Sequence, residues 1–150
     1  MIIDENLIKL NIQAKNSEDV ITELGNAMKE GGYVKNSYLK AVLEREKIFP
    51  TGLPGEGICI AIPHTDSKHV NKSAIATGVL INPVKFSMMG DEKIKLDVEI
   101  VMLLAIDDPS AQVKLLQKLM SVIQNQELLL KLKTSTTKNE VMQLLSCLNS

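Results

Sequence analysis

Residues 95–105 constrain the fold of this chain most strongly, because the segment changes from an alternating to a continuously apolar sequence. Alternation is typical of a strand with one exposed face, whereas a continuous apolar run is typical of a strand in a sheet covered on both faces. Residues 58–62 and 74–81 are shorter apolar segments of the same kind, and residues 7–12 alternate. The sequence therefore predicts a sheet with helices packed against both faces.

The segments between and after these strands have apolar residues at helical spacing. Ser17 is predicted to cap a helix that stops at the glycine pair 31–32, and a second helix is predicted over residues 37–46. Residues 113–123 also have helical spacing, and a last helix is predicted from near Thr137. The polar stretch that precedes this last helix is predicted to be a turn.

This order of strands and helices is typical of the α/β class, here a mixed β-sheet flanked by helices on both faces. A length of 150 residues is close to the commonest size of one domain, so a single domain over residues 1–150 is predicted. The Pro/Gly-rich residues 50–57 lead straight into an apolar strand. They are therefore predicted to form an ordered loop rather than a linker.

The composition excludes several classes of function. With 17 basic and 18 acidic residues, the chain lacks the basic surface that binds nucleic acid or an anionic membrane. Its apolar runs fall far short of the ~20 residues of a membrane-spanning helix, so no membrane insertion is expected. The first residues do not resemble a signal peptide. Cys59 and Cys147 lie in apolar sequence, which predicts buried thiols rather than a disulfide and indicates a cytoplasmic protein.

Both histidines of the chain lie within residues 60–70. His64 follows Pro63 at the predicted end of a strand, and the carboxyl ends of strands are the usual location of binding sites in α/β sheets. Proline lacks an amide donor and has a restricted φ, so it ends the strand and holds the histidine on a stiff connection. A neutral imidazole is a good nucleophile, and its attack on phosphorus produces a phosphohistidine. Asp66 can orient the imidazole or cap the following turn.

A phosphoryl group on His64 would need donors for its charged oxygens. Arg45, at the end of the second predicted helix, can supply a guanidinium fork. Thr51 can supply a hydroxyl, and the glycine-bearing loop 52–57 can supply backbone amides. Lys68 is a weaker candidate for the same role. The spacing alone leaves open a turn histidine with no catalytic role.

The segment around His64 resembles the active-site signature of the fructose/mannitol-type EIIA domains of the bacterial sugar phosphotransferase system. That signature is a glycine followed by an apolar-Ala-apolar-Pro-His sequence, which here lies within residues 55–65. The pair Arg45-Glu46 and the sequence that starts at Thr51 are similar to upstream elements of the family, and residues 113–119 resemble its leucine-rich helix. Phe49-Pro50-Thr51-Gly52-Leu53-Pro54 is most similar to the galactitol-specific branch.

This resemblance implies a phosphocarrier with a mixed sheet flanked by helices and without a metal or organic cofactor. His64 would accept a phosphoryl group from the phosphohistidine of HPr. It would pass that group to a cysteine of a cognate EIIB, which serves sugar uptake through the membrane protein EIIC. Family members usually carry a second active-site histidine at the start of the leucine-rich helix, where this chain has Gln112. His69 is a weak candidate to replace that second imidazole.

Two other functions stay open at this point. The first is a regulatory EIIA of the nitrogen-regulatory kind, which would use the same histidine to report phosphorylation state rather than to supply a transporter. The second, from a different class, is a non-enzymatic metal- or ligand-binding module built on the loop from His64 to His69. Three potential ligands within a single short loop are a weak zinc signal.

Overall fold

The computed structural model describes residues 2–149, and its sheet is built around the apolar segment that ends at Ala105. The helices and strands, in chain order, are β1 (Ile3–Ile12), α1 (Ser17–Glu30), α2 (Tyr38–Ile48), β2 (Gly52–Leu53), β3 (Cys59–Ala61), β4 (Ala74–Met88), β5 (Asp91–Ala105), α3 (Pro109–Ile123), α4 (Gln126–Thr134) and α5 (Lys138–Leu144). Strand β5 is exposed at its start and fully buried over its last six residues. The continuous apolar half is therefore the part that lies between helices, as predicted.

The five strands form one mixed sheet in the order β1-β4-β2-β3-β5, and β4 and β5 also pair as a hairpin. Strand β4 is parallel to β1 and β2, and β3 is parallel to β5. The β2–β3 and β4–β5 pairs are antiparallel. These pairings confirm the predicted α/β class with a mixed sheet. They also bring the carboxyl ends of β3 and β5 to the same edge.

The sheet separates two hydrophobic cores. Alternate residues of β5 point to opposite faces: Val101 and Leu103 pack in one core, and Ile100 and Met102 pack in the other. Helices α1 and α2 close the first core, and α3, α4 and α5 close the second. Both faces of the sheet are thus covered by helices.

Strands β4 and β5 are longer than predicted, since β4 continues to Met88 rather than stopping near residue 81 and β5 begins at Asp91 rather than near residue 95. The chain passes through Pro83, which cannot donate to a neighbouring strand, and the register of the hairpin shifts between Val79 and Val84. This irregularity accommodates the proline. The turn is closed at Gly90, whose φ of +86° favours glycine.

Other local predictions are wrong in detail. Helix α4 extends over the first four residues of the stretch predicted to be a turn, residues 131–139, because Leu129 and Leu132 are buried in the second core. The cap of α1 is Asn16, whose side chain accepts the amide of Asp19, and Ser17 is the first helical residue. Cys59 is half-buried and Cys147 is exposed, so the prediction that both are buried is also wrong.

The predicted domain of residues 1–150 includes Met1 and Ser150, which lie outside the described range. All strands of the described range belong to one sheet. Within residues 2–149, no helix has the length and apolar character needed to cross a bilayer.

Candidate active site

His64 lies at the edge where β3 and β5 end. The two strands run parallel with Ala61 opposite Val101, and the pairing continues past β3 because the Leu104 amide donates to the Pro63 carbonyl at 3.0 Å. Pro63 is buried and ends the strand, and His64 is half-buried just beyond it. The predicted position of the histidine at a strand end is therefore observed.

One hydrogen bond defines the chemistry of the His64 ring. Its Nδ1 lies 2.8 Å from the carbonyl oxygen of Ile62. A carbonyl only accepts hydrogen bonds, so Nδ1 must carry the proton. In the neutral ring the lone pair is then on Nε2, which is the nitrogen left for reaction.

The surroundings of His64 favour this neutral ring. Burial lowers the pKa of the imidazole from its ordinary value of 6.5 and is the largest influence, while the hydrogen bond to Ile62 raises it. Smaller opposing effects come from the positive charge of Arg45, which lowers the pKa, and from Asp66, which raises it. Because the net shift is downward, most His64 rings are neutral at pH 7.

Arg45 is a half-buried cation that is not neutralised by a carboxylate. It lies in the last turn of α2, and its guanidinium stacks 5.2 Å from the centre of the Phe49 ring. Its Nε is buried and has no hydrogen-bond partner. Within residues 2–149 the ion pairs do not include Arg45. An unsatisfied buried donor next to a neutral imidazole is suited to bind an anion.

Thr51 is engaged differently from the prediction. It is only 3% exposed, and its hydroxyl donates to Glu46 Oε1 at 2.6 Å, while its amide donates to Glu46 Oε2 at 2.8 Å. The predicted hydroxyl donor for a phosphoryl group is thus already used within the protein. Burial raises the pKa of the Glu46 carboxyl to about 7, although the two Thr51 bonds lower it.

The glycine-bearing loop is also partly engaged. The amides of Gly57 and Ile58 both donate to Gln126 Oε1 in α4, at 3.0 and 2.9 Å. They are therefore not available for an anion, contrary to the prediction for Gly57. A side chain at Gly55 would collide with the Ile58 carbonyl, since its Cβ would lie 2.2 Å from that oxygen. The same Cβ would lie 2.6 Å from Nε2 of Gln126, so the loop needs glycine there to fit against α4.

His69 is held by another part of the chain. It ends a short 3₁₀ turn, Ser67–His69, and its Nδ1 lies 2.7 Å from the hydroxyl of Ser37, just before α2. The His69 carbonyl accepts the amide of Lys35 at 2.9 Å. These contacts attach His69 to the α1–α2 connection. They give it a structural partner that sequence spacing did not predict.

The remaining candidates are Gln112, Lys68 and Asp66. Gln112 is half-buried in the first turn of α3, the helix that follows β5. Lys68 is exposed, and its carbonyl accepts the Lys35 ammonium at 2.8 Å. Asp66 caps no amide with its side chain. Within residues 2–149, no three His, Cys, Asp or Glu side chains come together as a metal site.

Two site residues were missed by sequence reasoning, Glu46 and Gln126. Glu46 was noted only as the neighbour of Arg45, and its contact with Thr51 depends on how the chain turns between α2 and β2. Gln126 contacts a loop 68 positions earlier in the chain. No local sequence pattern indicates such a distant contact, and the local signal for Glu46 is limited to its position beside Arg45.

Comparison with known proteins identifies relatives of this chain. The family model of the phosphoenolpyruvate-dependent sugar phosphotransferase system, EIIA 2, matches residues 1–147. The chain is 32% identical over 121 residues to the galactitol-specific EIIA component of Escherichia coli (strain K12), covering 81% of this chain and 80% of that protein. It is thus similar to a relative of comparable length.

Two solved structures share the fold. The crystal structure of IIA mannitol from Escherichia coli is 27% identical, with a TM-score of 0.78, and covers 95% of this chain and 97% of that one. The complex of enzyme IIA mannitol and phosphorylated enzyme IIB mannitol from Escherichia coli contains a chain that is 28% identical, with a TM-score of 0.77. The match covers 97% of this chain and 99% of that one. The chain therefore belongs to the EIIA type 2 family of the phosphoenolpyruvate-dependent sugar phosphotransferase system and is a sugar phosphotransferase component.

Proposed function

We propose that this chain carries a phosphoryl group on His64 Nε2, accepts it from phospho-HPr and passes it to a cysteine of a cognate EIIB. The observation that carries the proposal is the Nδ1 hydrogen bond to Ile62, which leaves Nε2 as the nitrogen with a lone pair. The sequence match over residues 1–147 supports a single domain that performs this transfer.

The transfer onto the chain is an in-line exchange of two nitrogen–phosphorus bonds. The lone pair of His64 Nε2 forms a bond to phosphorus while the bond to the HPr histidine breaks, and its electron pair returns to the HPr ring. The proton on Nδ1 stays in its hydrogen bond with Ile62 throughout, so no base is required. A ring that is neutral at pH 7 is ready for this attack without prior deprotonation.

The transfer off the chain is the same kind of in-line exchange, with a cysteine as the acceptor. The EIIB cysteine attacks phosphorus as a thiolate, the bond to Nε2 breaks, and its electron pair returns to the His64 ring. In both directions the negative charge lies on the equatorial phosphoryl oxygens. Arg45, with its buried unpaired Nε, is the group that can bind those oxygens.

The surface next to Arg45 suits a transient protein partner. Ile48 and Phe49 lie three and four positions after Arg45, at the end of α2, and are 67% and 60% exposed. Exposed apolar side chains beside a reactive group are typical of interaction sites. Because transfer requires fast release, a small apolar contact of this kind fits successive binding of HPr and EIIB. Membrane EIIC would be reached only through EIIB.

The similarity to a galactitol-specific component supports a galactitol-type system as the setting of this transfer. An EIIA of this kind does not bind the sugar itself, because the sugar is phosphorylated at the membrane partner. A reconstituted uptake system with the cognate EIIB and EIIC, supplied with galactitol and with mannitol, would identify the sugar. Uptake of mannitol alone would contradict the galactitol assignment.

The test of the phosphocarrier role is incubation with phosphoenolpyruvate, enzyme I and HPr, followed by intact-mass measurement. We expect one added phosphoryl group that is labile in acid and stable in base, and none on His64→Ala. Arg45→Ala should fold and accept phosphate at least about tenfold more slowly, while Lys47→Ala, an exposed cation two positions further along α2, should match the wild type. Phosphate uptake by His64→Ala, or none by the wild type, would contradict the proposal.

A further inference from the structure

Glu46 does not neutralise Arg45, its immediate neighbour in α2. Its two carboxyl oxygens instead accept the amide and the hydroxyl of Thr51, at 2.8 and 2.6 Å. Thr51 is almost fully buried, so both of its donors would be unsatisfied without this carboxyl group. The contact therefore joins the last turn of α2 to the start of β2.

Thr51 in turn contacts the strand that leads to His64. Its carbonyl accepts the amide of Ile62 at 3.4 Å, in line with the antiparallel pairing of Gly52 with Ala61. The carbonyl of Ile62 then accepts Nδ1–H of His64 at 2.8 Å. A continuous series of hydrogen bonds thus connects the Glu46 carboxyl group, through Thr51 and Ile62, to the reacting ring.

The other end of α2 is attached to the same edge of the sheet. The buried hydroxyl of Tyr38, the first residue of α2, donates to the Leu104 carbonyl at 2.6 Å. The amide of Leu104 donates to Pro63, next to His64. Helix α2 is therefore fixed at its start by Tyr38 and at its end by Glu46. Only the second attachment lies in the turn that carries Arg45.

We propose that Glu46 is a positioning residue for phosphoryl transfer: by binding Thr51 it fixes the turn that carries Arg45 relative to the strand that leads to His64. This inference rests on the proposed function of His64 as the phosphoryl acceptor. Glu46 touches no reacting atom and acts through Arg45. Within residues 2–149 no carboxylate pairs with Arg45, and its stacking partner Phe49 ends the same turn, so the placement of Arg45 depends on the backbone of that turn.

The test is a double-mutant cycle on the rate of phosphoryl transfer from phospho-HPr. We expect Glu46→Ala to slow transfer about tenfold, since small displacements of a positioning group cost catalysis heavily. In the Arg45→Ala background, Glu46→Ala should have no further effect, because the group it positions is already absent. Equal slowing in both backgrounds would overturn the proposal and assign Glu46 a general structural role.

Matched variants separate positioning from loss of folding. Glu46→Gln keeps one oxygen acceptor and should transfer phosphate faster than Glu46→Ala. This difference should disappear in the Arg45→Ala background. Glu44→Ala, which changes an exposed acid in the same helix, should equal the wild type. If Glu46→Ala does not fold, the same cycle with Glu46→Gln decides the question: equal rates of Glu46→Gln and the wild type overturn the proposal.

A spectroscopic measurement adds a readout that does not depend on transfer. In ¹⁵N spectra, the resonance of the Thr51 amide should shift markedly in Glu46→Ala and little in Glu44→Ala.

A wild-type chain that takes up no phosphate would refute the proposed function itself. A wild-type chain that is phosphorylated, with Glu46→Ala equally fast, would refute only the role of Glu46.

Discussion

The two histidines of this chain lie five positions apart, but their ring nitrogens have different kinds of partner. Nδ1 of His64 faces a backbone carbonyl, which only accepts, whereas Nδ1 of His69 faces the Ser37 hydroxyl, which can donate or accept. The first contact fixes the proton on Nδ1 and leaves the lone pair of the neutral ring on Nε2. The second permits either tautomer. The partner of Nδ1 therefore distinguishes the two rings, and it is the reason that we propose His64 rather than His69 as the phosphoryl acceptor.

The largest expected difference between the two histidines is in phosphate uptake. His64→Ala should abolish acid-labile phosphorylation by phospho-HPr, because the accepting nitrogen is lost. His69→Ala should retain a rate within about twofold of the wild type, since its contacts are to the α1–α2 connection. Intact-mass measurement over time checks both. Strong loss of uptake in a folded His69→Ala variant would show that the comparison is wrong.

The hydroxyls of Thr51 and Ser37 should contribute different amounts to the free energy of unfolding. Thr51→Val removes a buried hydroxyl from the Glu46 carboxyl group and should cost about 1–3 kcal/mol, the range for a buried polar group that loses its partner. Ser37→Ala removes an exposed bond to His69 and should cost at most about 1 kcal/mol. Urea unfolding of both variants measures these costs. Equal losses would remove the distinction between a buried and an exposed support.

Neighbouring charges should move the pKa of His64 in opposite directions. Arg45→Ala should raise it, because the positive charge of Arg45 lowers it, and Asp66→Asn should lower it further. Both changes should be smaller than the effect of burial, which is the largest cause of the downward shift. Titration of the ring by NMR measures the two shifts. Movement in the same direction would mean that these charges do not act on the ring as described.

The smallest expected effect is on stability at low pH. Because the pKa of His64 is lower in the folded chain than its ordinary 6.5, the unfolded chain binds the proton more readily. The contribution of His64 to stability should be present above pH 6.5 and decline as the pH falls through the lowered value. His64→Gln has no such group. The wild type should therefore lose stability relative to His64→Gln over that interval, and a constant difference would contradict the lowered pKa.

Much of the fold could be predicted from local sequence. Burial follows from the pattern of apolar residues along the sequence. This pattern predicted the continuous apolar half of β5 and the helical spacing in α1 and α3. The far half of the β4–β5 hairpin was missed because its residues are mostly exposed and pass through Pro83. Helix α4 was missed because a short helix depends on packing more than on its own pattern.

The candidate site could also be predicted in part. His64 and Arg45 could be selected because their chemistry is rare in the chain and follows from residue type. The hydrogen bonds of Glu46, Thr51 and Gln126 could not, because they depend on how three separate segments pack together. Thr51 and the Gly57 amide, which sequence reasoning assigned to a phosphoryl group, already donate to Glu46 and Gln126. Among the predicted donors, Arg45 is the one with a buried nitrogen that has no hydrogen-bond partner within residues 2–149.

The division of the interior by the sheet has a consequence for how substitutions combine. Val42 of α2 is buried in one core, and Leu119 of α3 is buried in the other. Side chains without shared neighbours contribute independently to the free energy of unfolding. The loss of stability in the double truncation should therefore equal the sum of the two single losses to within about 0.5 kcal/mol. Changes in the α3 layer can then accumulate without disturbing the helix that presents Arg45. The single-layered sheet thus divides the protein into two cores that can change independently of each other.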